Sequence, residues 1–256
     1  MNIYVLMKRT FDTEERIQLQ GNKIDEESAE FIINPYDEYA IEEAVKLKEE
    51  HDGEIVVLTV GDEESGKELR TALAMGADRA VLINAEDDYD EFDSTSIAKI
   101  IAGYLAEEEV DVILAGNVAI DGGSGSVAPA VAELLNIPYV TTAVELTIEG
   151  TTAYITRDAE GDTEKVTVQL PFLMTCQQGL NEPRYPSLPG IMKAKKKPLD
   201  ELELDDIDVD DFKALTSVNN VTMPEEKAAG RILDGELNAQ VDELVGILFN
   251  DKKIVG

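Results

Sequence analysis

The chain has 256 residues, 54 acidic against 22 basic, and a formal net charge of −32 at pH 7. This balance excludes nucleic acid as a general partner, because phosphate binding needs a basic face. The 43% apolar content excludes disorder of the whole chain, and the length suits one large α/β domain with an extension or two small domains. A charge this large keeps a protein soluble but makes it repel itself unless salt screens it, which fits a saline habitat. With one cysteine, Cys176, no intrachain disulfide forms. The opening "NIYVLM" reads as a strand and not as a signal peptide. No apolar run approaches the length of a membrane span, so a cytoplasmic location is expected.

Residues 2–7 predict a buried strand. "RIQLQGNKIDEES" predicts a small hairpin around Gly21-Asn22, with Ile17 and Leu19 alternating. A helix follows in "NPYDEYAIEEAVKLKEEHDG", with Asn34 as cap, Pro35 at its first position, an apolar face of Ile41, Ala44 and Val45, and Gly53 at its end. "EIVVLTVG" (54–61) suits a central parallel strand. A helix closing at Gly76, a strand at 79–84, a solvated acidic loop "AEDDYDEFDS", a helix over 94–108 and a strand over 110–116 come next. This alternation argues for a parallel sheet covered on both faces. After residue 137 the pattern changes to strands with turns at Glu149-Gly150 and Glu160-Gly161-Asp162, a β-meander added to the sheet. Residues 200–212 read as acidic and weakly structured. Residues 238–250 predict a terminal helix with Val241, Leu244, Val245 and Leu248 on one face.

The strongest local signal is "AGNVAIDGGSGSVAPAVAELL" (115–135), a strand, a glycine-rich loop and a helix. Gly122, Gly123 and Gly125 permit close backbone approach, Ser124 and Ser126 add hydroxyls, and the helix aims its first amides into the same space. Pro129 is tolerated in the first turn. The loop is either a phosphate cradle or a tight turn without a ligand. The cradle is favoured because the loop lies where open α/β sheets bind ligands. No Gly-Lys-Ser/Thr closes it, so it is not a Walker A loop. The match of "GSGSVA" to a dinucleotide fingerprint comes after a late strand instead of the first. His51 reads as a surface residue at a helix end, and Cys176 as a buried small residue. A nucleotide-like pocket with so little acid–base or nucleophilic equipment favours a binding or carrier role over self-contained catalysis.

"LNEPRYPSLPGIMKAKKKP" (180–198) differs from its surroundings, with four prolines and five basic residues in an acidic chain. It is either an ordinary rigid turn with a solvated basic face or a docking element.

Together with "MKRTFDTE", "INPYDEYAIEEAVKLKE", "RTALAMGADRA", "GNVAIDGG" and "ITRDAEGDTEKVTVQLPFLMT", that stretch resembles the beta subunit of electron transfer flavoproteins, in motifs running from residue 7 to 198. The resemblance implies an α/β fold: a parallel-sheet, three-layer, Rossmann-like nucleotide-binding domain with an added β-meander and a C-terminal extension. It implies an AMP-binding core over 1–190 with a recognition loop at its end, and an arm over 191–256 packing on an alpha subunit. It implies a heterodimeric electron carrier, not an enzyme with its own turnover. Such a carrier takes electrons from dehydrogenases, often acyl-CoA dehydrogenases, through an FAD held mostly by the alpha subunit. It passes them toward the respiratory chain through a quinone oxidoreductase.

By the same resemblance, a structural AMP would contact Leu6, the corner Asn34, Pro35, Tyr36 and Asp37, then Val60, and the loop Gly116, Asn117, Val118, Ala119, Ile120, Asp121, Gly122, Gly123, Ser124, Gly125, Ser126 and Val127. Tyr36 would approach the flavin. Many relatives carry Asp-Asp-Asp or Asp-Gly-Asp-Thr where this chain has Asp121-Gly122-Gly123-Ser124. That departure favours AMP over the second FAD of electron-bifurcating relatives. Arg184, Tyr185, Leu188 and Lys193 would dock partner dehydrogenases, with Leu188 as apolar anchor and Lys193, Lys195, Lys196 and Lys197 steering toward an acidic rim. The alternatives are a bifurcating subunit with two FADs and NADH, and a stand-alone ATP- or AMP-binding stress-type domain.

Overall fold

The computed structural model describes residues 1–26, 29–85, 92–209, 211–225, 227 and 229–251. They belong to two compact units, Met1–Asn220 and Val221–Gly256. The first unit opens with β1 (Asn2–Leu6), β2 (Arg9–Phe11), β3 (Leu19–Gln20), β4 (Lys23–Ile24), β5 (Phe31–Ile33), α1 (Pro35–His51) and β6 (Glu54–Gly61). It continues with α2 (Gly66–Met75), β7 (Arg79–Asn84), α3 (Ser94–Ala106), β8 (Val112–Gly116) and α4 (Val127–Leu134). It closes with β9 (Tyr139–Glu149), β10 (Thr152–Ala159), β11 (Asp162–Gln169), β12 (Phe172–Cys176), α5 (Leu188–Ala194) and β13 (Leu199–Glu203).

Among the described residues the main sheet has the order β11-β10-β9-β12-β8-β1-β6-β7-β13. From β9 to β13 every neighbouring pair is parallel, and β10 and β11 extend one edge antiparallel. Each central strand buries both faces. On β1, Ile3 and Val5 pack under α1 and α2, while Tyr4 and Leu6 pack under α3 and α4. The result is the expected three-layer, Rossmann-like α/β fold. Chain order reverses at β1, which lies between β6 and β8. Ligands of open α/β sheets bind at such a reversal, beyond the carboxyl ends of the strands.

The predicted hairpin forms, with Leu19 opposite Ile24. The meander is β9-β10-β11, and β12 then returns between β9 and β8. One expectation is corrected: residues 200–212 are not uniformly weakly structured. Leu199–Glu203 pairs in parallel with β7, and Leu202, Leu204, Ile207 and Phe212 pack on the α3 side of the core. The acidic residues obscure an apolar face of wider spacing. Within the acidic loop read before α3, residues 86–91 lie outside the described residues. In the second unit, α6 (Leu237–Gly246) forms as expected, followed by a π-helical turn at Ile247–Asp251, with Val241, Leu244 and Val245 exposed. No helix among the described residues is long and apolar enough to cross a membrane.

One buried carboxylate ties the carboxyl edge of the sheet together. Asp37, in the first turn of α1, accepts the Lys8 amide just past β1 at 2.7 Å and the Gly116 amide ending β8 at 2.9 Å. Asn34 Nδ2 donates to it at 3.0 Å. Gly116 has no room for a side chain, since a Cβ there would lie 2.2 Å from Asp37 Oδ1. Burial pushes the Asp37 pKa up to about 7, against the opposing pull of its three hydrogen bonds and Lys8. A folded-state pKa above the unfolded value means that this group's stabilising contribution is complete in acid and is lost as pH rises from about 4 through about 7. Asp37→Asn removes this titration and turns an amide donor against one of the backbone amides. Its stability deficit relative to the wild type should therefore be about 1 kcal/mol larger at pH 6 than at pH 8. Urea unfolding of both chains at the two pH values measures this, and an equal deficit at both would refute it.

Candidate functional site

A cavity of about 1150 Å³ opens at the carboxyl edge where the strand order reverses. Leu6, Met7 and Lys8 from the end of β1, Val60 from β6, and Ala115 and Gly116 from β8 form its floor. Asn34 and Asp37 enter from the start of α1. Asn117, Val118, Ala119 and the run from Gly122 to Ala128 supply one wall. Most of the residues expected around a nucleotide are thus brought together. Pro35, Tyr36, Ile120 and Asp121 are not on the wall: Pro35 and Tyr36 are half-buried beside it, and Ile120 and Asp121 are exposed.

Asn34 sets the shape of the loop. It precedes α1 as expected, but its side chain makes no capping bond. Its Nδ2 donates to Val118 O at 3.0 Å and its Oδ1 accepts the Ile120 amide at 3.2 Å, so it clamps the loop after β8 to the start of α1. This buried amide is satisfied across 84 or more residues of sequence, which local capping rules do not foresee. Lys8 Nζ pairs with Asp121 at 2.6 Å, and the Gly123 amide donates to Ala119 O at 2.9 Å. Gly125 has φ +57° and sits where a Cβ would lie 3.1 Å from Asn117 O. Ser124 and Ser126 hydroxyls are 3.0 Å apart, and Ser126 makes no side-chain cap on α4. The first amides of α4 are therefore left facing the loop, a donor set suited to a phosphate. Among the described lining residues Lys8 is the single cationic side chain, so an anion here would be held mainly by amides and hydroxyls.

The opposite wall was not anticipated. Phe92, Asp93, Ser94, Thr95, Ile97 and Ile101, from the start of α3, line the cavity, as do residues 214–218. The signal available in sequence was the cap Asp93-Ser94-Thr95-Ser96. Asp93 accepts the Thr95 and Ser96 amides, each at 3.0 Å. It stands at the end of an acidic run whose composition suggests a solvated loop. Residues 214–218 give no local signal at all.

Away from the cavity, Cys176 is fully buried, and burial raises its thiol pKa well above the usual value. In the proline-rich stretch Tyr185 and Leu188 are exposed, with Met192 beside them. Arg184 is not free. Its guanidinium donates to Glu42 at 2.8 and 2.9 Å and to Glu49 at 2.8 and 3.3 Å, anchoring the loop on α1. Lys193, Lys195 and Lys196 are exposed, whereas Lys197 departs from the expected solvated row. Its ammonium donates to Leu73 O and Ala77 O at the end of α2, while Arg70 of α2 donates to Ala194 O and Lys197 O at the end of α5. Each helix end is capped by a cation from the other.

Residues 21–207 match the family model "Electron transfer flavoprotein domain". The chain is 60% identical over its full length to all of the "Electron transfer flavoprotein subunit beta" of Bacillus subtilis (strain 168). It is 39% identical to the protein of that name from Syntrophomonas wolfei, covering 99% of this chain and 98% of that protein. It is 34% identical to the one from Mus musculus, covering 88% and 90%. The chain belongs to the electron transfer flavoprotein beta-subunit family.

Proposed function

We propose that the chain is the beta subunit of a heterodimeric electron transfer flavoprotein, holding AMP in the cavity and sharing one FAD with an alpha subunit. The supporting observation is convergence. Separated segments at Leu6, at Asn34 with Asp37, at Val60 and along the loop after β8 meet around one cavity with phosphate-type donors. They do so in a chain similar throughout to named beta subunits. Leu6, Val60, Ala115 and Ile101 offer apolar walls for a base, and Gly122–Ser126 with the start of α4 offers amides and hydroxyls for a phosphate. Bound FAD would supply the redox chemistry, and this chain would bind, orient and shield. On this reading Tyr36 meets the flavin from the beta side. Dehydrogenases, including acyl-CoA dehydrogenases, donate the electrons, and a quinone oxidoreductase receives them. The expected location is the cytoplasm, and the exposed face of α6, within the arm read over 191–256, packs on the alpha subunit.

A second reading places FAD in the cavity, as in a bifurcating subunit. The volume of about 1150 Å³ favours it, exceeding the usual range for small-molecule sites. Coexpression with the alpha subunit, followed by cofactor release and chromatography, separates the readings. One FAD and one AMP per dimer is expected. Two FADs and NADH-driven reduction of two acceptors would select the second reading. A stable nucleotide-bound homodimer that never takes up FAD with the alpha subunit would refute both.

For docking, Leu188 is the proposed apolar anchor, 81% exposed at the start of α5, where Pro183, Pro186 and Pro189 stiffen the entry to the helix. Leu188→Ala should slow electron transfer from a dehydrogenase about tenfold, as removal of a hot-spot side chain does, with FAD and AMP content unchanged. Stopped-flow flavin reduction measures this, and an unchanged rate would remove the anchor role. Replacing Lys193, Lys195 and Lys196 with Gln should lower the association rate and flatten its salt dependence. Lys197→Met should instead cost about 1 kcal/mol of stability through the lost helix-end contacts, read by thermal unfolding.

A further inference from the structure

The described residues between β13 and Val218 lead toward the cavity. Ile207 and Val209 cross α3 at Gly103, where a Cβ would lie 2.2 Å from Val209 Cγ2 and 3.1 Å from Ile207 Cγ2. Any side chain there would push the segment away from the helix. Phe212 then meets Phe92 edge to face, ring centres 5.7 Å apart. Three residues later the backbone reaches the carboxylate that starts α3. Asp93 Oδ2 accepts the Leu215 amide at 2.8 Å, the Thr216 amide at 2.8 Å and the Thr216 hydroxyl at 2.9 Å. Oδ1 of the same carboxylate accepts the Thr95 and Ser96 amides at 3.0 Å and the Ser96 hydroxyl at 3.2 Å. One carboxylate thus caps a helix with one oxygen and grips an extended segment with the other. Residues 214–218 and the first turn of α3 both line the cavity, and Ser94 Oγ stands 3.4 Å from Ser124 Oγ of the glycine loop.

We propose that residues 214–218 form a strap closing one side of the nucleotide cavity, and that Asp93 is the positioning residue that latches it. The proposal rests on the reading of the cavity as an AMP site. The segment has little else to fix it: Leu215, Thr216, Ser217 and Val218 are exposed, with no regular secondary structure. Its order therefore depends on the Asp93 contacts and the Phe212 stack. Hydrogen bonds from the Ser96 amide, and next from Thr216 and Leu215, outweigh the effect of burial and hold the Asp93 carboxyl well below the usual range. The latch stays charged, and so strong, through the neutral range. An AMP behind the strap leaves only after the latch opens, and AMP in turn favours the closed strap, because binding couples the two reciprocally.

Asp93→Ser separates the two tasks of the carboxylate. Serine is an equally good helix cap but has one oxygen and a shorter reach, so α3 keeps its start and the strap loses its latch. The heterodimer with its alpha subunit is loaded with labelled AMP, and release after dilution is followed. FAD content reports intact assembly. In parallel, trypsin cleavage after Lys213, at the foot of the strap, is followed by mass spectrometry with and without AMP. The expected result is AMP release at least about tenfold faster in Asp93→Ser than in the wild type, from the loss of hydrogen bonds to a charged acceptor. Cleavage at Lys213 should be slowed by AMP in the wild type and no longer slowed in the variant. Thr216→Val, which removes only the hydroxyl bond, should fall between the two. If Asp93 merely caps α3, Asp93→Ser will match the wild type in both measurements, and the strap is overturned while the AMP reading stands. A wild-type dimer that carries no AMP overturns the AMP reading and the strap with it.

Discussion

The carboxyl edge of the sheet depends on a carboxyl group buried where its charge is costly. Asp37 joins the exit of β1, the end of β8 and the first turn of α1 through three hydrogen bonds. Without an acceptor at that point, two backbone amides would be buried unpaired beneath the cavity. With it, β1 and β8 end at a fixed distance from α1, and the loop after β8 must leave over Asn34. Gly116 follows from the same contact, because only a glycine lets the carboxylate approach its amide. The floor and the loop of the cavity are consequences of this one brace.

Helix α1 then serves two sites at once. Its start presents Asn34, just ahead of it, and Asp37 in its first turn at the cavity, and its later turns carry Glu42 and Glu49, which hold Arg184 and so the proline-rich stretch. The presentation of Tyr185 and Leu188 is thus set by the same rigid element that sets the cavity. In a chain of net charge −32 this economy has a cost in self-repulsion. The scarce cations are placed against it. Arg9 sits among Asp62, Glu64 and Glu68 and stacks over Phe31, and Arg70 and Lys197 cap opposed helix ends. Lys193, Lys195 and Lys196 remain exposed on a surface otherwise rich in carboxylates.

Much of the fold is legible in sequence because it follows from short-range periodicity. The strands at 54–61 and 79–84 form as read, since continuous apolar runs bury on both sides only in a covered parallel sheet. Gly76 ends α2, and Pro35 opens α1. The glycine loop is legible for the same reason: its residues are contiguous and their conformational demands are local. Misreadings fell where acidic residues masked a second pattern. In "DELELDDIDVDDF" Leu202, Leu204, Ile207 and Phe212 face the core in a strand and a crossing segment, while the carboxylates among the described residues face solvent.

Neighbouring residues suffice to fix the class of fold, the order of its elements and the glycine loop that lines the cavity, because each rests on local patterns. The tertiary structure alone decided that β12 inserts between β9 and β8, that Asn34 clamps a loop instead of capping a helix, and that Lys197 ends another helix. It also decided that Asp93 and residues 214–218 wall the cavity. These are pairings of polar groups far apart in the chain. A buried or half-buried donor takes whichever acceptor the completed packing leaves within about 3 Å, and no local rule names that partner in advance.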